Sequence, residues 1–382
     1  MVQRVTLVAP ITPFRGGIAR HSTALGRALG DRKDIQFEAE SFAKLYPTWL
    51  YPGESERDPT SSSEAPFTAQ HSLNSLDPVG WRKAAARISR RGPGVAVIPA
   101  WTFFLGPALG TIARYLKRHG LKVMMIVHNA ADHERSLWKS RLSNWQLAAA
   151  DGFVVHTDEV AHDLRKAGHT QPICVIPHPI FTDFPEAQHT LPRRGRLELL
   201  CFGLVRHYKG VDIALRALAH PGLEGVHLTV AGEIWEGEKD IRALAQSRAL
   251  DGRVELVSRY VSDVEAAEYF VRCDAVLAPY RSVSGSGVLA VAQHYRRPVI
   301  AADLPGFSGL IEHGKNGWLF PTEDEAALAR LLRDRVSRQS AQALGRNIAG
   351  ELSDGGWREY ADALIAFANG EVNERFRPPG SS

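Results

Sequence analysis

Cysteine is scarce in this chain, three in 382 residues, and Cys174, Cys201 and Cys273 stand far apart with no C-x-x-C spacing. Two of them lie in apolar strand-like runs, which points to buried reduced thiols and to a cytoplasmic setting. Long apolar runs are also missing. No stretch reaches the roughly 18 residues needed for a bilayer span, and the opening MVQRVTLVAP is too short and strand-like for a signal peptide. The dinucleotide fingerprint G-x-G-x-x-G does not follow the first strand-like run, which argues against a dehydrogenase. H-E-x-x-H is absent too, since Leu137 stands where the second histidine would be. Excess charge of one sign is slight, a net +4, and implies no nucleic-acid partner.

What is present is alternation. At 382 residues the length favours two domains, and β-rich apolar runs alternate with helical patterns throughout, the mark of parallel α/β sheets. The first half predicts strands at Arg4–Pro10, Val95–Pro99, Val123–Val127, Gly152–His156 and Ile173–Ile176, with helices at Ala19–Gly30, Pro107–His119 and Asp158–Ala167. The second predicts strands at Leu197–Phe202, Val226–Ala231, Val254–Val257, Ala275–Ala278 and Val299–Ala301. Its helices fall at Gly210–Ala219, Glu238–Ala249, Asp263–Arg272, Gly287–Tyr295 and Asp324–Leu332. The Ser-, Pro- and Glu-rich segment Tyr51–His71 reads as a mobile surface loop. The aperiodic Pro177–Arg196, with four prolines, reads as a linker. The domains expected are therefore 1–178 and 197–354, joined by 179–196. Two such sheets place strand C-terminal ends on a shared crevice, where ligands of open α/β sheets bind.

Four motifs sit directly after strands. Gly16-Gly17 opens the first helix, where paired glycines let backbone N–H groups approach an anion; a purely structural turn is the alternative. His128 ends a strand in His128-Asn129-Ala130-Ala131-Asp132-His133-Glu134, placed to contact a sugar hydroxyl or to be a satisfied buried histidine. Arg206 and Lys209, in Gly203–Gly210, can converge on a diphosphate or form a solvated surface pair. Ser284-Gly285-Ser286-Gly287-Val288 opens another helix with small residues and free N–H groups, an anion site. Two basic stretches, Trp81–Arg91 and Arg114–Lys122, are read as solvated helix faces or as contacts to an anionic lipid or acceptor.

In order and spacing these segments resemble the family-4 retaining glycosyltransferases of the GT-B fold. They look most like the bacterial subgroup with H-N-x-x-x-H-E, F-G-x-x-R-x-Y-K-G and P-Y-x-x-x-x-x-S-G-V segments, matched here by His128–Glu134, Phe202–Gly210 and Pro279–Val288. The resemblance spans about residues 4 to 335 and implies an α/β fold of two Rossmann-like domains facing a central cleft, with a last helix at 355–370 packing back on the first. It implies Gly16 and Gly17 beside the donor phosphates or transferred sugar, and His128 near the reacting sugar. Arg206, Lys209, Ser284, Ser286, Gly287 and Val288 would hold the diphosphate, and Tyr260 and Val261 would flank the base. Arg20, Asn129, His133 and Glu134 are acceptor-side candidates. Many family members carry a Glu-x(7)-Glu pair, where this chain has Val283 and Val291; Glu233 and Glu312 are candidate substitutes.

The implied reaction moves a hexose from a UDP or GDP sugar to a saccharide, lipid-linked or small-molecule acceptor. No cofactor or metal is expected, because fixed cations and N–H dipoles meet the leaving diphosphate. Contact with the inner membrane face through the basic helices is a further expectation, as is domain closure about the linker. Rival readings are a nucleotide-sugar epimerase or sugar phosphorylase of the same fold, and a non-catalytic sugar-nucleotide or glycan-binding protein.

Overall fold

The computed structural model describes residues 4–47, 49–50, 55–58, 65–128, 137–181, 184–283, 287–351, 356–371 and 374–375. They divide into two units, Met1–Pro179 with Gly356–Ser382, and Ile180–Gly355.

The first unit is built on an eight-stranded parallel sheet: β1 (Arg4–Val8), β2 (Gln36–Lys44), β3 (Ala69–Asn74), β4 (Val95–Ala100), β5 (Lys122–Val127), β6 (Gly152–Val155), β7 (Ile173–Val175) and, last in the chain, β14 (Glu374–Arg375). Their spatial order is β14-β7-β6-β5-β4-β1-β2-β3. The central strands β4, VAVIPA, and β5, KVMMIV, are near-continuous apolar runs, buried along almost their whole length. That is how strands read when helices cover both sheet faces. The helices are α1 (Gly17–Gly30), α2 (Pro78–Ser89), α3 (Gly106–Arg118), α4 (Leu137–Leu147), α5 (Asp158–Lys166) and α13 (Trp357–Asn369). Asp77 caps α2 through the Val79 N–H with Pro78 at the first helical position, and Thr157 caps α5 through the Val160 N–H. α13 docks on α1, where Arg32 pairs with Asp362 and Trp357 packs 5.0 Å from the His21 ring.

The second unit carries six parallel strands, β8 (Leu197–Phe202), β9 (Val226–Ala231), β10 (Val254–Val257), β11 (Ala275–Ala278), β12 (Val299–Ala302) and β13 (Gly317–Phe320), ordered β10-β9-β8-β11-β12-β13. Between β8 and β13 run α6 (Val211–Leu218), α7 (Glu238–Ala245), α8 (Asp263–Arg272), α9 (Gly287–His294) and the short α10 (Pro305–Ser308). After them come α11 (Glu325–Asp334) and α12 (Arg338–Glu351). The proline-rich segment joins this unit from Ile180 onward. It is tied there by Tyr295 Oη donating to the Pro185 carbonyl at 2.8 Å and by Arg193 pairing with Asp274 at 2.6 Å.

The ten strands read from the sequence are all present, with ends shifted by up to about two residues, but β2, β3, β13 and β14 were not anticipated, nor were the helices α4 and α12. Of the segment Tyr51–His71, residues 51–54 and 59–64 lie outside the described residues, and the reading of the rest as a mobile loop needs correcting. Its last residues belong to β3, and Ser55–Asp58 is pinned rather than loose: Asp58 N–H donates to the Pro13 carbonyl at 2.7 Å and Arg15 N–H to the Glu56 carbonyl at 2.9 Å. The Glu56 carboxylate accepts from the Leu45 and Tyr46 backbone at 3.2 and 2.7 Å. The basic stretch Trp81–Arg91 is α2 and its end, and two of its charges are spent internally, Arg87 on Glu40 and Arg91 on Glu38.

Candidate active site

In the first unit the functional candidates gather beyond the C-terminal ends of the strands. The loop after β1 ends at Gly16, whose φ of 97° suits glycine. Gly16 and Gly17 are exposed, and a Cβ on either would meet no atom within 4 Å. The 14-residue helix α1 starts there with no side-chain cap and no acidic residue in its first turn. Its first N–H groups thus remain available to an anion. Arg20 lies one turn on, half-buried. Asn129, His133 and Glu134 lie outside the described residues.

His128 follows β5, its backbone N–H bonded to the Ala100 carbonyl at 2.9 Å. It belongs to a cluster no local spacing announced. The His21 ring, from the first turns of α1, lies 4.8 Å from His128, 5.2 Å from His156 and 5.1 Å from His178. His156 follows β6 and His178 lies beyond β7, so four segments distant in sequence meet. Trp357 and Tyr360 of α13 pack on the His21 ring at 5.0 and 5.5 Å. His156 Nδ1–H donates to the Ile176 carbonyl at 3.2 Å, and His178 Nδ1–H to the Pro179 carbonyl at 2.6 Å. Both His21 nitrogens and the Nε2 atoms of His128 and His156 are buried with no hydrogen-bond partner among the described residues.

Burial disfavours protonation throughout this cluster, reinforced at His21, His128 and His156 by the neighbouring rings. It lowers His128 to about 3 and His178 to about 4, with His21 and His156 also well below the ordinary histidine value. His128 is therefore a neutral imidazole at neutral pH, suited to exchange hydrogen bonds with a hydroxyl rather than to supply positive charge.

In the second unit the loop from β8 to α6 is held by shape and by ions. Gly210 has φ 62°, and a Cβ there would lie 1.9 Å from the Pro279 carbonyl oxygen, so only glycine fits against the loop after β11. Arg281, in that loop, braces the arrangement. It donates to the His207 carbonyl at 2.8 Å and pairs with Asp212 at 2.8 Å and Glu323 at 2.9 Å. Lys209 is half-buried, its ammonium donating to the Phe202 carbonyl at 2.8 Å and lying 5.5 Å from the Tyr280 ring. Among the described residues no carboxylate pairs with it, and burial lowers its pKa to about 8. Arg206 is exposed, with its guanidinium 5.0 Å from the centre of the Trp235 ring.

The remaining candidates divide. Gly287, at the start of α9, is exposed, and a Cβ there would meet nothing within 4 Å. Ser284 and Ser286 lie outside the described residues. Val288 and Val261 are buried, which leaves only their backbone groups to a ligand; Tyr260 is half-buried. Val283 and Val291, at the positions of the missing glutamates, are also buried. Glu312, offered as a substitute, is exposed and paired with Lys315 at 3.0 Å. Glu233 is half-buried, with its carbonyl accepting from the Val205 N–H at 2.8 Å. His21, His156, His178 and the Arg281 brace were missed. The signal for the first three was a histidine just past a strand or early in a helix after one, repeated in one half of the chain.

Solved structures share this architecture. The Anabaena protein HepE, in complex with UDP and glucose, matches with a TM-score of 0.71 at 16% identity, covering 97% of this chain and 100% of its own. A sucrose-phosphate synthase from Thermosynechococcus elongatus matches at 0.66 with 19% identity, covering 96% and 97%. The fold is GT-B, built of two Rossmann-like α/β units.

Residues 15–184 match the Glycosyltransferase Family 4 model and residues 196–337 the model described as Glycosyl transferases group 1. A GDP-mannose:glycolipid 4-beta-D-mannosyltransferase of Xanthomonas campestris pv. campestris is 28% identical over 273 residues, 65% of this chain and 71% of the relative. A D-inositol 3-phosphate glycosyltransferase of Streptomyces avermitilis is 29% identical over 238 residues, 57% of this chain and 51% of the relative. The chain is a family 4-like glycosyltransferase of the GT-B fold and acts as a hexosyltransferase.

Proposed function

We propose that the chain moves a hexosyl group from a UDP- or GDP-linked sugar to a saccharide or lipid-linked acceptor, with retention of anomeric configuration and without a divalent metal. The observation that carries this reading is Lys209. An ammonium group half-buried past a strand end, lacking a carboxylate among the described residues and lowered to about 8, is suited to an anionic ligand. A diphosphate supplies that anion. As the glycosidic bond to the diphosphate breaks, negative charge builds on the leaving group, and Lys209, Arg206 and the N–H groups opening α9 stabilise it. Neutral His128 and the open Gly16-Gly17 turn serve the transferred sugar and the acceptor hydroxyl. These fixed donors take the part a metal ion plays elsewhere.

The mannosyltransferase relative favours a second stereochemical reading, since its name specifies a 4-beta linkage. From an α-linked donor, an α-product means retention and a β-product means inversion, so the one-bond C1–H1 coupling of the product, which differs between the anomers even for mannose, decides. Activity is expected to survive EDTA; a loss restored by added metal contradicts the metal-free reading. Donor class is tested by thermal shift with a panel of UDP and GDP sugars. Binding to the native state at 100-fold excess over Kd stabilises by about 2.7 kcal/mol, and no shift with any of them would sink the donor assignment.

The acceptor's setting is proposed from the first unit's surface. Trp138 and Trp145 on α4 are exposed, as are Arg82, Lys83 and Arg90 near α2 and Arg118 on α3. Aromatic rings beside basic charge suit an anionic bilayer surface, and we place a lipid-linked acceptor there, on the cytoplasmic face. Among the described residues no helix is long and apolar enough to cross a membrane.

A further inference from the structure

We propose that His21, His128 and His156 form a binding site for one divalent transition-metal ion of the zinc class, distinct from the donor-phosphate cations of the second unit. The geometry carries it. One nitrogen from each ring lies within 4.8 Å of the others. Three imidazoles bound tetrahedrally at about 2.0–2.1 Å hold their nitrogens about 3.4 Å apart and their ring centres about 5 Å apart. The observed ring-centre separations are 4.8, 5.2 and 5.1 Å. The rings already stand at the spacing of a bound set, and small rotations bring the nitrogens together.

The tautomers agree. The His156 Nδ1–H is committed to the Ile176 carbonyl, so in the neutral ring Nε2 carries the lone pair. A backbone carbonyl on the far nitrogen is the usual device that orients a metal-binding histidine. His128 Nε2 and both His21 nitrogens are buried without a partner among the described residues. A buried polar nitrogen left unpaired is destabilising, and a shared cation satisfies one on each of three rings at once. Imidazole ligands select zinc, copper, nickel or cobalt over magnesium or calcium. With three protein ligands, a fourth position is left for water. His178 adds a wall, its ring centre 5.1 Å from His21 and 5.0 Å from His156.

This site is not the source of the proposed transfer chemistry. An ion there occupies His128 and inhibits transfer, while Lys209 still binds nucleotide. The test therefore reads the ion itself. Chelator-treated protein is titrated with Co2+, followed by its visible absorption and by equilibrium dialysis. One equivalent with the intense ligand-field band of tetrahedral cobalt is expected. The octahedral aqua-type spectrum, or no stoichiometric binding, overturns the proposal on the wild-type protein alone. His21→Gln and His156→Gln are expected to weaken binding at least 100-fold, whereas His189→Gln, at an exposed position, leaves it unchanged. Circular dichroism confirms that each variant is folded. Equal binding in all of them overturns the assignment to this cluster.

Discussion

Two buried polar clusters in this molecule have opposite characters. In the second unit, near the strands' N-terminal ends, every principal charge is matched. Glu198 accepts from His227 Nδ1 at 3.1 Å and from the Arg194 and Gly195 backbone. Asp274 receives both Arg193 terminal nitrogens, at 3.0 and 2.6 Å, and the Glu198 N–H at 2.8 Å. Arg272 reaches Thr229 and Glu255. Burial pushes the Glu198 carboxyl up, but the bonds from His227, Arg194 and Gly195 outweigh it and hold it at about 2. In the first unit, past the strands' C-terminal ends, four histidines meet, and ring nitrogens of three of them, His21, His128 and His156, have no hydrogen-bond partner among the described residues. A saturated network holds strands and the entering chain in register and has nothing left to offer a ligand. An unsaturated one keeps its donors and acceptors for something else.

The contrast can be broken by mutation. The largest effect is expected at Glu198. Glu198→Ala strands His227 and the backbone donors and should cost about 3–5 kcal/mol of stability in denaturant titration. The nucleotide Kd of the molecules that remain folded should not move; a parallel loss of affinity would show the network to be part of the site.

Lys209→Ala should do the reverse, removing about 1.5–3 kcal/mol of donor binding through one charged hydrogen bond. Stability should stay level or rise, because an ammonium without a carboxylate partner is lost. A drop in stability with unchanged nucleotide affinity would return Lys209 to the scaffold. His128→Ala should lower turnover more than donor affinity, and wild-type turnover in that variant would remove His128 from the reaction.

The smallest effect is a slope. Unfolded histidines take up a proton near pH 6.5, whereas folded His128 and His178 resist until about 3 and about 4. Below pH 6.5 the unfolded state binds more protons, so stability is fully present above that pH and falls as acid is added. Each such histidine contributes about 1.4 kcal/mol per pH unit. His21, held well below its ordinary value by burial, is one of them. His21→Gln should remove one share of the slope in urea titrations between about pH 5 and 6.5; an unchanged slope would mean that His21 does not resist protonation as its burial implies.

The parts legible in the sequence were those written locally. Central strands such as β4 and β5 announce themselves as apolar runs, and Gly16, Gly17, Lys209 and Gly210 sit in short loops where chain order alone places them after a strand. What escaped was long-range. β3 begins in the last residues of a segment whose Ser-, Pro- and Glu-rich composition reads as loop, and Glu56, in the described part of that segment, is held by the Leu45 and Tyr46 backbone. His21, His156 and His178 are individually ordinary, and only the sheet order that sets β5, β6 and β7 side by side gathers them around His128. The Arg281 brace needs Asp212 and Glu323, distant in sequence and brought together by folding.

The central claim, that groups past the strand ends left without a carboxylate or hydrogen-bond partner among the described residues await a ligand, is tested most directly by proton uptake on nucleotide binding. Lys209 stands at about 8 without ligand, and a diphosphate beside it should raise that value. Calorimetric titration of UDP or GDP near pH 8.5, in buffers of differing ionisation enthalpy, should show fractional proton uptake. Affinity should fall as pH rises above about 8, and both effects should vanish in Lys209→Ala. Proton-neutral binding with the same affinity in wild type and variant would contradict the account.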